Sequence, residues 1–332
     1  RDHAGHHRAR DSGGAEMSAE PTDGVHGARV AVLGLGHMGL PMAQRLDAAG
    51  AEVVTYDVVR EARVTAAAAG LRVAADGPAA AGEADVVLTM FPEGRHVLEA
   101  YRGGLLSAAP THTLFVDCST IAVDDARAAH ALARASGHRF IDAPVSGGVV
   151  GAENGTLAFM VGGAEEDVAR ARPLLEVMGR RIVHCGGPGL GQAAKVCNNM
   201  ILGVTQIAVA EAFVLGERLG LTHQALFEVA SNASGQCWAL TTNCPVPGPV
   251  PTSPANHDYA PGFAGALMAK DLGLAVRAIE RTGVGARMGL AARDIYKEFA
   301  QGEGAGQDFS GIIHDVRARS SAARDAHAEE GT

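Results

Sequence analysis

Short apolar runs of β type alternate with apolar-periodic stretches of helical spacing through the first half of the chain. The β-type runs cover residues 29–35, 52–56, 85–90, 113–117, 139–142, 157–161 and 181–184. Helical spacing appears between them at 41–49, 124–136 and 165–178. Strands alternating with helices predict a parallel sheet covered on both faces. From about Gly191 the β signal stops. Residues 192–219 read as one long helix, followed by helices near 223–231, 263–281 and 289–300, with the Pro-rich stretch 244–254 as a loop. The expected fold is an α/β Rossmann-type dinucleotide-binding domain followed by an all-α domain. Residues 1–27 are expected to be a disordered leader, with Met17 a candidate first residue. The sheet domain is expected at 28–190, the helical domain at 191–316 beginning with the long interdomain helix, and a frayed tail at 317–332.

Charge and composition narrow what such a chain binds. Twenty-eight basic side chains against 37 acidic ones leave a formal charge of −9, so a phosphate-backbone surface is not expected. With 47% hydrophobic residues the chain is not largely disordered. The nearest approach to a membrane-spanning run, 200–215, is interrupted by Gln206 and Glu211. Five scattered cysteines, without a Cys-x-x-Cys pair or clustered histidines, predict neither a disulfide framework nor a metal site. Reduced cysteines packed as small hydrophobes fit the cytoplasm. The expected partner is a small molecule, with no nucleic acid and no membrane.

The first chemical signal is Gly34-Leu35-Gly36-His37-Met38-Gly39. In a chain with 43 glycines a G-x-G-x-x-G sequence alone is weak. Here it follows the strand Val30-Ala31-Val32-Leu33 and opens a helix with Pro41 in its first turn. Glycines there allow a tight turn and close backbone approach, and the helix N-terminus faces a pyrophosphate. Asp57 follows 23 residues after Gly34, at the end of the next strand. Its carboxylate suits ribose hydroxyls and repels a 2′-phosphate, which favours NAD over NADP; Arg60 and Arg63 nearby point the other way.

Two later segments carry candidate chemistry. Asp142-Ala143-Pro144-Val145-Ser146-Gly147-Gly148 follows a strand and belongs at the sheet's C-terminal edge, where such folds bind ligands. Backbone N–H groups of Ser146, Gly147 and Gly148 and the Ser146 hydroxyl suit a carboxylate. On the long helix, Gln192, Lys195 and Asn199 share one polar face. The chain has only three lysines, Lys195, Lys270 and Lys297, so a lysine is a candidate for a task that a guanidinium does not perform, while Lys297 reads as a remnant of the arginine-rich bias. Desolvation lowers a lysine pKa and makes Lys195 a candidate general acid/base.

At these residues the chain resembles the β-hydroxyacid dehydrogenase family, over nearly everything from about residue 28 to 314. Besides the glycine loop, 140–148 and 191–199, the resemblance rests on Ser234-Gly235-Gln236-Cys237-Trp238, Leu267-Met268-Ala269-Lys270-Asp271-Leu272 and Asp308-Phe309-Ser310. It implies Lys195 as catalytic acid/base, and Ser146, Gly147, Gly148, Asn199 and Trp238 at the substrate. It implies Phe91, Pro92, His96, Thr120 and Lys270 around NAD, beside Gly34 to Gly39 and Asp57. It also implies a homodimer or homotetramer and a place in valine breakdown. The expected reaction is oxidation of (S)-3-hydroxyisobutyrate, since Trp238 suits a methyl-bearing substrate. The alternatives are a tartronate semialdehyde reductase and a non-catalytic dinucleotide-binding protein. His37 and His96 depart from a common asparagine and Phe91 from a common leucine, while Cys244 looks inserted into Asn-Pro-Val-Pro-Gly.

Overall fold

The computed structural model describes residues 24–330, with side chains to residue 321. Most of the expected leader lies outside the described residues. Residues 24–27 form a turn that buries Val25, pinned by the Gly27 N–H donating to the Gly50 carbonyl at 2.8 Å.

Nine strands form one sheet: β1 Arg29–Leu33, β2 Glu52–Tyr56, β3 Arg72–Val73, β4 Val86–Thr89, β5 Leu114–Asp117, β6 Arg139–Asp142, β7 Val145–Ser146, β8 Leu157–Gly162 and β9 Gly179–Gly186. Their order is β3-β2-β1-β4-β5-β6-β8-β7, with β9 on β8. β1 to β6 run parallel, whereas β8 is antiparallel to β6 and β7. The chain turns at Ala143-Pro144 into β7, whose pairing with β8 sets that reversed direction. β3 and β7 were not expected, because two residues carry no period to detect.

Side chains alternate across the sheet as strand geometry demands. On β5, Leu114 and Val116 join a core with Met42, Leu46 and Phe159 on one face. Phe115 points the other way, edge-on to Tyr101 with ring centroids 5.2 Å apart.

The helix Leu190–Leu219 starts against β8 and then carries the second core. Ile207, Phe213, Met268, Leu272, Tyr296 and Ile312 fill that core, supplied also by helices Gly265–Thr282, Arg287–Phe299 and Ile312–Glu330. By length and composition the long helix could cross a membrane, yet half of its most apolar stretch is buried in the protein and Gln206 is fully enclosed. It is a core helix. Where fraying was expected past Arg317, the chain stays helical to Glu330. Ile312 and Ile313 anchor that helix, Arg317 donates to Glu217 Oε1 at 2.5 Å, and its alanines favour the conformation.

Candidate active site

The glycine loop joins β1 to the helix Gly39–Ala48. Gly34 has φ +92°, and a Cβ on it would strike the Met90 carbonyl; one on Gly39 would strike the Gly34 carbonyl. Around Gly36 there is open space. The loop is thus tight where it packs and open where a pyrophosphate approaches. Asp57 stands beside it: Oδ2 accepts from the Leu35 N–H at 2.6 Å and Oδ1 from the Val59 N–H at 2.7 Å. Each oxygen keeps a lone pair for a ribose hydroxyl. Arg63, the possible 2′-phosphate partner, is turned onto the Asp57 and Val58 carbonyls at 2.6 and 3.0 Å, while Arg60 is exposed. These residues fit a dinucleotide. His37 is exposed and Met38 half-buried at the helix start.

The other expected cofactor residues come from four separate segments. Phe91 donates its N–H to Ser119 Oγ at 2.8 Å, and Pro92 is exposed. His96 lies on the helix Gly94–Ala100 with its Nδ1 buried and unpartnered among the described residues. Thr120 and Lys270 both line a cavity of about 390 Å³ lined also by Glu93, Ile121, Asp125 and Arg277. That cavity stops short of Ser146, Lys195 and Asn199.

The candidate chemical residues lie on two elements, the loop after β6 and the long helix, that are joined through Asp142. Asp142 ends β6, and its carboxylate caps the long helix, accepting from the Gly189 N–H at 2.8 Å and the Gln192 N–H at 2.9 Å. Gly191 is packed so closely on Asp142 and the Met160 carbonyl that no side chain fits there. The loop after Asp142 is thereby held at the root of the helix that carries Lys195. Within it Ser146 pairs with Ala158 of β8, Gly147 and Gly148 take φ of +127° and +62°, and Gly148 abuts the Gly262 carbonyl of the helical domain.

Lys195 is 6% exposed and Asn199 2% exposed. Burial holds the Lys195 pKa below the usual lysine range, Lys270 reinforces this, and Asp271 opposes it. Burial likewise lowers Lys270 against the pull of Asp271, Glu93 and Asp117. Among the described residues no group accepts a hydrogen bond from the Lys195 amine. Asn199 is partly committed: it donates to Asp271 Oδ2 at 2.6 Å and accepts from Asn198 at 3.0 Å, leaving one N–H. Trp238 is not drawn into this strip; it is 52% exposed at the start of the short helix Trp238–Thr241.

Three acids in the site were not singled out from the sequence. Asp271 stands opposite Lys195 and Asn199, with its pKa raised by burial and opposed by both lysines. Burial also pushes Asp142 up to about 6 and Asp117 up to about 7. Asp117 Oδ1 accepts from the hydroxyls of Thr89 and Ser119 at 2.8 and 2.6 Å. A signal existed for two of them, since Asp117 and Asp142 both close apolar strands at the sheet's ligand-binding edge. For Asp271, the signals were its position beside a rare lysine and its place in the motif 267–272.

Comparison with known proteins agrees with this architecture. Residues 29–187 match the NAD binding domain of 6-phosphogluconate dehydrogenase, and 189–316 match the domain described as NAD-binding of NADP-dependent 3-hydroxyisobutyrate dehydrogenase. A Mycobacterium tuberculosis protein named "Probable 3-hydroxyisobutyrate dehydrogenase" is 57% identical over 293 residues, covering 88% of this chain and 99% of the relative. An NAD-dependent L-serine dehydrogenase of Pseudomonas aeruginosa is 45% identical over 284 residues, 85% of this chain and 95% of the relative. The solved structure of the Mycobacterium tuberculosis 3-hydroxyisobutyrate dehydrogenase with L-serine superposes with a TM-score of 0.86 at 56% identity, covering 88% of this chain and 99% of that one.

Proposed function

The chain belongs to the 3-hydroxyisobutyrate dehydrogenase family of NAD-dependent β-hydroxyacid dehydrogenases, and from that premise we propose that it oxidises (S)-3-hydroxyisobutyrate to methylmalonate semialdehyde. The observation that carries the reading is a buried lysine of lowered pKa, on the helix whose root holds the 143–148 loop. NAD, when bound, supplies the hydride acceptor. Ser146, Gly147 and Gly148, with the remaining N–H of Asn199, hold the substrate carboxylate. Neutral Lys195 takes the hydroxyl proton as the carbonyl forms, and its ammonium returns that proton in the reverse direction. Asp271 keeps Asn199 and Lys195 in register and limits how far the lysine pKa falls.

L-serine is the second reading, favoured by the relative that dehydrogenates it and by the solved relative that carries it. Serine keeps the carboxylate and the CH₂OH group and puts an ammonium where hydroxyisobutyrate has a methyl. The proposal extends to a cytoplasmic homo-oligomer acting in valine breakdown. The exposed apolar side chains Ile201, Leu215, Leu219, Leu221 and Val229, along the long helix and the next, support a second copy.

An NADH absorbance assay tests these readings, with (S)-3-hydroxyisobutyrate and L-serine in the forward direction and tartronate semialdehyde in reverse. The highest kcat/KM is expected with (S)-3-hydroxyisobutyrate. A higher value for serine or tartronate semialdehyde moves the assignment there, and no turnover with any of them leaves a dinucleotide-binding protein without this activity.

A further inference from the structure

Gln192 is fully buried, three residues before Lys195 on the same helix, and all its polar groups are engaged. Its backbone N–H goes to Asp142 Oδ2 at 2.9 Å. Its side chain reaches the segment that follows β5. There Nε2 donates to the Ser119 carbonyl at 2.6 Å, and Oε1 accepts from the Ile121 N–H at 3.1 Å. The amide therefore brackets Thr120 from both sides, as a neighbouring strand would. Ser119 passes the connection on: its Oγ accepts from the Phe91 N–H at 2.8 Å and donates to Asp117 at 2.6 Å. One side chain thus ties Phe91 and Thr120, on the cofactor side, to the helix that positions Lys195.

We propose that Gln192 is a positioning residue that fixes the spacing between the Ser119-Thr120-Ile121 segment and Lys195, so that hydride and proton transfer share one geometry. The inference rests on Lys195 being the acid/base of the proposed reaction. The two side-chain bonds join elements about 70 residues apart across the edge where the sheet meets the long helix. An apolar residue could fill the same volume but could not hold a loop backbone in register. At reacting distances an error of about 1 Å costs about 10²-fold in rate.

The test uses two variants of the full chain. Gln192→Leu keeps the volume and loses both side-chain bonds. Its kcat is expected to fall about 10²-fold, while KM for the hydroxy acid and the Kd for NADH stay within about threefold. The primary deuterium isotope effect from substrate deuterated at the carbinol carbon should rise, because a slowed chemical step becomes rate-limiting. Gln192→Glu keeps the acceptor for Ile121 but turns a second oxygen toward the Ser119 carbonyl. Only the protonated acid can donate there, and its burial raises its pKa. The introduced carboxylate also raises the Lys195 pKa while ionised, so the variant is compared with wild type at its limiting kcat above the Lys195 titration, which should be about 10²-fold lower. The ratio of variant to wild-type kcat should climb from there as pH is lowered toward about 6.

Gln192→Leu with kcat within about twofold of wild type and an unchanged isotope effect overturns the proposal. If that variant does not melt cooperatively, Gln192→Glu decides: a rising ratio supports positioning and a ratio flat with pH overturns it. Turnover that depends on Lys195 but is indifferent to Gln192 sinks this inference alone, whereas turnover indifferent to Lys195 sinks the acid/base reading beneath it.

Discussion

The long helix carries two buried polar clusters, one near its start and one at its middle, and they differ in what is left unpaired. At the middle, Gln206 and Asn243 bond each other, and Asn243 also donates to Asp308 Oδ1 at 3.1 Å. Asp308 accepts further from the Ser310 N–H and hydroxyl and from the N–H groups of Gly262 and Phe263. Donors and acceptors there close on one another. At the start, Lys195 is also buried, though less completely than Asp308, yet its amine has no hydrogen-bond acceptor among the described residues, and Asn199 keeps one N–H. A closed network specifies a fold, whereas buried polar groups left open are held for a ligand. Lys195 and Asn199 lie in one segment that carries the family resemblance and Asp308 and Ser310 in another, so motif membership alone does not separate the two clusters.

The sharpest way to break this comparison is to mutate its two ends. Lys195→Arg keeps charge and length but cannot lose a proton, so kcat is expected to drop by about 10² to 10⁴ with NAD affinity and melting unchanged. Retention of more than about a tenth of wild-type kcat would make Lys195 an electrostatic anchor only. Wild-type oxidation should also rise with pH through an apparent pKa below the ordinary lysine value, a limb absent from the arginine variant. Asp308→Ala does the opposite. It strands three backbone N–H groups and should cost about 3 kcal/mol in urea unfolding while kcat per folded molecule stays put. A stable Asp308→Ala protein with low kcat would erase the distinction.

Asp57 sits between the two cases, anchored by Leu35 and Val59 but with lone pairs left over. Asp57→Ala should erode the preference for NAD over NADP by about tenfold in kcat/KM, the worth of one charge-assisted hydrogen bond. Equal use of both cofactors by the wild type would remove the basis for the expectation.

A last contrast concerns Asp117, whose Oδ1 accepts two hydroxyls while Oδ2 is buried without a partner among the described residues. Burial raises its folded pKa to about 7, against 3.8 for a free carboxyl. Between those values the folded protein holds a proton that the unfolded chain has released. This contribution to stability is therefore fully present below about pH 4 and is lost as pH rises through about 7. Asp142, raised to about 6, adds in the same direction. Asp117→Asn should flatten the fall in urea midpoint between about pH 4 and 7. An unchanged slope would mean that the carboxyl is already ionised.

Much of the fold was legible because burial imprints a period. The strands Glu52–Tyr56 and Arg139–Asp142 and the helices Glu165–Met178 and His223–Ser231 coincide with the apolar pattern, and others differ by a residue or two at their ends. The two-residue strands were illegible, and so was the reversed direction of β8, because strand direction is set by pairing across the sheet. Within the candidate site, Gly34 to Gly39, Asp57 and Lys195 were marked by local spacing and rarity. Trp238 was marked by resemblance alone, and the structure leaves it half in solvent.

By itself, then, the sequence determined the order of elements, the glycine loop after β1, and the shared face of Gln192, Lys195 and Asn199, since each follows from neighbours a few residues apart. Only the tertiary structure decided that Gln192 turns away to bracket Thr120, that Asp271 closes on Asn199, and that Lys195 is buried with no acceptor among the described residues. Those partners stand about 70 residues apart, and helical periodicity says which side chains share a face without saying what that face meets.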